Sequence, residues 1–391
     1  MLIKNRSLNK FVIVFITTDL DMGGAEIMLY NLLSKINRQR FCPVVVSLID
    51  GGVWGNRIKA LGIPVHTIKM QQGRPTPTGL LRLIKTVNQL KPDIIQGWMY
   101  HGNLAAQLAS IFSAGKIRVF WSIHHSPTSL SSERIMTRAI IKVGANISQF
   151  NHKVIFVSQN SQKLHEQLGY NSDNSCVIPN GFDTDLFKHS VTAKRELRDE
   201  LNLPESSLMI GLICRYHPMK DHANFLKAAA LIANNYSEVN FILAGTDVDE
   251  NNTFISRLIE ELNISSQVHL LGERHDIDRI LAGLDIVSLS SAYGEAFPLV
   301  IGEAMSCGVP CVVTDVGDSG LIVGHTGKIV PPSNSQALAN AWKDLISIGA
   351  EGREVLGKAA RERIIASFSL ESVVNRYEKL YETAFKNAIP I

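Results

Sequence analysis

Long apolar runs are missing from this chain of 391 residues. The longest uniform ones, such as residues 11–16, stop at six, against the roughly 20 needed to span a bilayer. Cysteine is scarce: five residues, an odd count at scattered positions. They provide neither a disulfide framework nor paired CxxC zinc spacing, so a reduced, cytosolic protein is expected. Charge is modest at 19%, while 45% of the residues are hydrophobic. That is enough to build sizeable cores and excludes a disordered tail protein. Lys4, Arg6 and Lys10 ahead of residues 11–16 imitate a signal peptide. Asp19 and Asp21 follow without a small-residue cleavage pattern, so a first core strand is expected instead.

The net charge of +3 hides an asymmetry. Residues 1–190 hold 21 Lys and Arg against 10 Asp and Glu, a balance of +11; residues 191–391 hold 18 against 26, a balance of −8. A basic first half suits an anionic partner, although scatter over two solvated surfaces accounts for it equally well.

Length alone suggests two or three domains at about 150 residues each. Short β-branched runs alternate with helical stretches, the pattern of parallel α/β layers. Strands are expected at 11–16, 43–48, 93–96, 119–123 and 153–157. After a polar, charge-rich linker and surface helix at 184–207, they resume at 208–214, 239–244, 268–271, 285–289 and 310–313. The stretch from about Ser369 reads as one amphipathic helix carrying Val373, Tyr377, Leu380, Tyr381 and Phe385. Two doubly wound domains are expected, with ligands at the carboxyl ends of their strands and in the cleft between them.

The loops at those strand ends carry the chemistry. Gly23-Gly24 ends the first strand and opens a helix, where backbone can approach an anion, although a plain tight turn fits as well. This loop is not GxGxxG, and no GxxxxGK[ST] occurs anywhere, so neither a dinucleotide fingerprint nor a phosphate loop is present. Asp19-x-Asp21 resembles a metal-holding DxD, but four such patterns occur, starting at Asp19, Asp183, Asp247 and Asp276; no metal is expected. His124 closes a strand, in a position open to a ligand or to an ordinary loop hydrogen bond. Arg215 and Lys220 could clamp a diphosphate.

The stretch Ser290–Met305 is the most informative. Pro298 suits the first turn of a helix, which would leave the amides of Leu299 and Val300 free for a phosphate. Helical spacing places Glu303 in a narrow sector with Gly302 and Ser306, a carboxylate that needs a hydrogen-bonding partner on an otherwise buried helix. A glycosidase reading of Glu295 and Glu303 is disfavoured, because the phosphate-binding amides lie between the two carboxylates.

Taken in order, Gly23-Gly24-Ala25-Glu26, His124, Val177-Ile178-Pro179-Asn180-Gly181-Phe182-Asp183, Arg215 with Lys220, Glu295-x7-Glu303 and Thr326-Gly327-Lys328 resemble glycosyltransferase family 4, the retaining nucleotide-sugar-dependent transferases of the GT-B architecture. The resemblance runs through most of the chain. It implies an acceptor-binding Rossmann-like domain at 1–185, a nucleotide-sugar-binding domain at 186–368, and a terminal helix at 369–391 crossing back to the first domain. It further implies that Arg215 and Lys220 bind the donor pyrophosphate, with the amides of Phe297 and Leu299 nearby. Glu295 would contact donor sugar hydroxyls and Glu303 the ribose hydroxyls. Gly23 and Gly24 would lie against the diphosphate, and His124 near the donor sugar, where it stabilises the transition state.

The segments 96–103 and 121–126 are similar to bacterial enzymes that build O-antigen, capsule or other envelope polysaccharides. That implies a uridine-diphosphate sugar as donor, no cofactor, and a saccharide on undecaprenyl diphosphate as acceptor. It also implies peripheral attachment to the anionic inner face of the plasma membrane, and Arg134, Arg138 and Lys142 beside Ile135, Ala139 and Val143 suit such a surface, as they suit ordinary helix packing. The loop Ala244-Gly245-Thr246-Asp247 departs from a second glycine-rich turn, and Asp318-Ser319 replaces a glutamate-bearing segment. A nonhydrolysing sugar-nucleotide epimerase and an exported two-domain solute-binding protein are the alternatives.

Overall fold

The computed structural model describes residues 10–21, 23–71, 76–127 and 129–386; Lys4 and Arg6 lie outside them. The chain divides into two units, residues 1–181 with 370–391, and residues 182–369. The division falls at Gly181/Phe182, four residues before the 185/186 boundary read from the sequence.

The first unit holds seven strands: β1 (Phe11–Thr17), β2 (Phe41–Ser47), β3 (Val65–Thr67), β4 (Ile94–Trp98), β5 (Arg118–Ile123), β6 (Lys153–Phe156) and β7 (Ser175–Val177). They form one parallel sheet in the order β3-β2-β1-β4-β5-β6-β7. The second unit holds β8 (Leu208–Ile213), β9 (Val239–Ala244), β10 (Val268–Leu270), β11 (Ile286–Leu289), β12 (Cys311–Thr314) and β13 (Lys328–Val330), ordered β10-β9-β8-β11-β12-β13 and again parallel. Both orders are the doubly wound arrangement whose direction reverses beside the first strand, and that reversal opens a crevice at the carboxyl strand ends.

Strands covered by helices on both faces must be apolar throughout. β1 reads Phe-Val-Ile-Val-Phe-Ile-Thr and is buried beyond its first residue; β8 and β9 are buried at every position. The core of the second unit centres on Phe225, Phe241 and Trp342, whose rings lie 5.0 to 6.1 Å apart. The helix Leu370–Lys386 belongs to the first unit. There Phe385 stacks on Phe11 at 4.1 Å, Tyr381 donates to Gln96 Oε1 at 3.2 Å, and Glu378 Oε1 accepts from the Asn37 amide at 2.7 Å.

Three strands of three residues, β3, β7 and β13, and the helix Gly349–Phe368 were not among the elements read from the sequence. A three-residue strand is too short to show a period. The helix buries only a thin stripe of Gly357, Ala360, Ile364 and Phe368, too narrow to stand out from its charged neighbours.

Candidate active site

The carboxyl ends of the two sheets carry most of the residues singled out, and each unit builds its own constellation. In the second unit, the turn after β8 contains Arg215 and Lys220. The loop after β11 is held against it: the Ala292 amide donates to Met219 O at 2.8 Å and Ser290 Oγ to Lys220 O at 2.8 Å. From the other side, the Asp318 amide donates to Ala296 O at 3.1 Å. Asp318, which had no assigned role, therefore braces the loop bearing Glu295. Similarly, the Tyr216 amide donates to Thr246 O at 2.8 Å, so the departing loop 244–247 serves as a support.

Arg215, Lys220 and Glu295 meet around Cys214. Burial pushes the Cys214 thiol up to about 12, and of the charges it feels Lys220 and Arg215 pull it down while Glu295 pushes it up. The two cations stand in different surroundings. Lys220 Nζ donates to Glu295 Oε1 at 2.5 Å, with the two side chains 15% and 8% exposed. Ser291 Oγ donates to the same oxygen at 2.6 Å, which leaves Glu295 Oε2 without a partner among the described residues. Arg215 is exposed and has no ion-pair partner among the described residues. Lys220 thus spends one of its three donors on a carboxylate, and Arg215 spends none among the described residues.

Pro298 is the N-cap residue of the helix Leu299–Ser306, and no side chain caps that end. The sector expected to hold Gly302, Glu303 and Ser306 is split. Gly302 and Ser306 are buried; the Phe182 ring fills the space a side chain at Gly302 would need, and Ser306 Oγ donates to Gly302 O at 2.6 Å. Glu303 stays half-buried, and its carboxyl has no hydrogen-bond partner among the described residues. Desolvation raises its carboxyl to about 7.

In the first unit, His124 follows β5. Its Nε2 lies 2.8 Å from Ser122 Oγ, and its ring sits 4.4 Å from that of Trp98. Desolvation lowers its pKa to about 3, Asn180 opposing weakly, so the ring is neutral at pH 7. Tyr377 of the terminal helix joins the cluster, 3.4 Å from Ser122 Oγ. The His124 amide donates to Met99 Sδ at 3.3 Å, and Met99 has φ +64°, a strained backbone of the kind that collects at functional sites. Gly97 permits this crowding, since a Cβ there would lie 2.5 Å from the Asn103 backbone. No site role was read from the sequence for Trp98, Met99 and Ser122, which lie in the segments 96–103 and 121–126, or for Tyr377, read only as part of the terminal helix; their roles depend on neighbours far along the chain.

The Gly23-Gly24 turn opens the helix Gly24–Lys35 with no side-chain cap at Gly23. The Glu26 carboxylate folds back over Gly23, occupying the space a Cβ would take. Desolvation, with Asp19 and Asp21 nearby, raises Glu26 to about 6. An anion approaching this turn therefore meets acidic groups. No group of three His, Cys, Asp or Glu among the described residues could hold a metal ion. At the second DxD pattern, Asp183 Oδ1 accepts from the amides of Asp185 and Leu186.

Comparison with known proteins divides the chain in the same way. Residues 22–186 match the model of Glycosyltransferase Family 4, and residues 193–363 match that of Glycosyl transferases group 1. The two matches make the chain a glycosyltransferase built of a family 4 domain and a group 1 domain. The transferase is 26% identical over 384 residues to an N,N'-diacetylbacillosaminyl-diphospho-undecaprenol alpha-1,3-N-acetylgalactosaminyltransferase of Campylobacter jejuni, covering 94% of this chain and 98% of the relative. A UDP-Gal:alpha-D-GlcNAc-diphosphoundecaprenol alpha-1,3-galactosyltransferase of Escherichia coli is 28% identical over 211 residues, 52% of this chain and 53% of that one. Among solved structures, Anabaena HepE in complex with UDP-glucose superposes with a TM-score of 0.80 at 25% identity, covering 96% of the transferase and 100% of HepE. The GT-B fold expected from the sequence is the fold of the transferase's structural neighbours. Neither matched model describes an epimerase or a solute-binding protein.

Proposed function

We propose that this glycosyltransferase moves a hexose-type sugar from a uridine-diphosphate sugar to a saccharide carried on undecaprenyl diphosphate, with retention at the anomeric carbon, in the synthesis of a bacterial surface polysaccharide. The observation that carries the nucleotide-sugar half is Glu303: an unpartnered, desolvated carboxyl one turn into a helix whose N-terminus has no side-chain cap. A ribose diol offers the missing donors, and a diphosphate offers charge to the helix start. The acceptor half rests on the Campylobacter and Escherichia relatives, whose names specify diphosphoundecaprenol-linked sugars.

In this reading Arg215, Lys220 and the amides of Phe297 and Leu299 take the diphosphate. The free Oε2 of Glu295 accepts from donor sugar hydroxyls, and Gly23-Gly24 approaches the diphosphate through backbone alone. The acceptor hydroxyl attacks from the face that the leaving group departs, and a departing phosphate oxygen receives its proton. The protein orients the reactants and offsets charge on the diphosphate. Neutral His124 acts as a hydrogen-bonding group near the donor sugar, not as a cation. The first unit would meet the inner face of the plasma membrane through its basic surface; no helix among the described residues is long and apolar enough to cross a membrane.

The test is transfer of radiolabel from a panel of nucleotide-sugars to lipid-extractable material, with linkage analysis of the product. Label that stays water-soluble with every donor, or epimerised donor formed without acceptor, overturns the reading. Activity is proposed to need no metal; loss on chelation with recovery on adding manganese would reverse that point.

A further inference from the structure

His124 is joined to the terminal helix through a single serine. Its Nε2 lies 2.8 Å from Ser122 Oγ, and the Tyr377 hydroxyl lies 3.4 Å from the same oxygen. Ser122 is fully buried and Tyr377 is 3% exposed. Both are held in place by other contacts. Asn103, also buried, accepts from the Ser122 amide and donates to the Ser122 carbonyl, each at 3.2 Å. The Tyr377 ring stacks on Trp98 with centres 6.4 Å apart, and Arg118 Nε donates to Ala384 O of the same helix at 2.6 Å.

Counting protons gives this chain of groups a direction. Burial pushes the Tyr377 phenol well above its ordinary range, so it keeps its proton. Ser122 Oγ is the hydrogen-bond partner of that phenol among the described residues. Ser122 then spends its own single proton on His124 Nε2. A neutral imidazole carries one ring proton, and with Nε2 accepting, that proton lies on Nδ1. Asn180 fits the assignment, because its side-chain hydrogen bond favours the protonated ring, as an acceptor oxygen does. The reverse direction, from Nε2 through Ser122 to Tyr377, would leave a buried phenol proton with no acceptor among the described residues, which is costly.

We propose that Tyr377 is a positioning residue: through Ser122 it holds the proton of His124 on Nδ1 and fixes the angle of the ring. The proposal rests on the role given to His124 above. It adds that the terminal helix, otherwise a packing element, prepares His124 for transfer. Ser122 and Tyr377 act through the imidazole and not on the substrate.

Two measurements on the full-length protein test it. With the histidines isotopically labelled at nitrogen, NMR reports which ring nitrogen of His124 is protonated; the His124 signals are those lost in His124→Ala. The proton should lie on Nδ1 in the wild type and move in part to Nε2 in both Tyr377→Phe and Ser122→Ala. Initial rates should show turnover falling roughly threefold in Tyr377→Phe, whose contact is the longer one, and roughly tenfold in Ser122→Ala, with the donor KM unchanged. The double variant should be no slower than Ser122→Ala, because the two residues act in series. Tyr381→Phe, which deletes a hydroxyl one turn along the same helix bonded to Gln96, should alter neither the tautomer nor turnover. A proton that stays on Nδ1 in both single variants overturns the proposal, as do rate losses that multiply in the double variant. If Ser122→Ala fails to fold, Tyr377→Phe decides alone. A moved proton together with wild-type turnover in His124→Ala sinks the role of His124 and leaves the relay from Tyr377 standing.

Discussion

Replacing Lys220 by Met removes one partner of a 2.5 Å ion pair whose side chains are 15% and 8% exposed. The Glu295 carboxylate would keep only the Ser291 hydroxyl. Breaking a buried pair from one side costs about 3–5 kcal/mol; the slight exposure of both groups brings the expectation to about 2–4 kcal/mol of stability in the second unit. Glu295→Gln in the same background removes the stranded charge, so the double variant should regain about 1–2 kcal/mol, a coupling within the range for contacting residues. Arg215→Ala, at an exposed position with no ion-pair partner, should leave stability within about 0.5 kcal/mol. Yet Lys220→Met and Arg215→Ala should both cut turnover by roughly 10- to 150-fold, the equivalent of about 1.5–3 kcal/mol of charge-assisted bonding to the diphosphate. Urea titration gives the first set of values, and initial-rate transfer assays the second. The reasoning is refuted if Lys220→Met unfolds within about 1 kcal/mol of wild type, or if both variants turn over donor within threefold of it.

Glu303 titrates near 7 in the folded protein, and only its ionised form accepts two ribose hydroxyl bonds. UDP affinity should therefore rise about severalfold between pH 6 and 8, and Glu303→Gln should flatten that rise; a parallel slope in the variant would remove the ribose role. Because the folded pKa is raised above the unfolded one, the same group makes stability fall as pH climbs from about 4.5 to 7. His124 acts with opposite sign: its pKa near 3 means the unfolded ring takes a proton first, so its contribution is complete above about 6.5 and is lost as pH falls toward 3. His124→Ala should lower turnover with donor affinity nearly unchanged, and equal turnover would dismiss it. Glu26→Gln should tighten UDP binding above pH 6 by removing a carboxylate from the Gly23 turn; unaltered affinity would separate that turn from the diphosphate.

Sequence by itself determined the layered parallel architecture, because strands covered on both faces leave six-residue apolar runs that no surface segment would tolerate, as in residues 11–16 and 208–213. It also determined which loops matter: glycine and proline at strand ends, and carboxylates eight residues apart at Glu295 and Glu303, are local features fixed by local spacing. Tertiary structure alone decided how those residues are employed. Whether Lys220 is free or bound to Glu295, 75 residues away, depends on how the β8 and β11 loops lie against each other. Gly302 is buried while Glu303 beside it is not, because Phe182, distant in the chain, fills the space beside Gly302. The surroundings of His124 come from Trp98, Asn180 and Tyr377, separated by as many as 255 positions from the strand they serve. Periodicity records which side of an element is buried; it does not record which distant side chain covers it, and charge, desolvation and hydrogen bonding at this site all follow from that second fact.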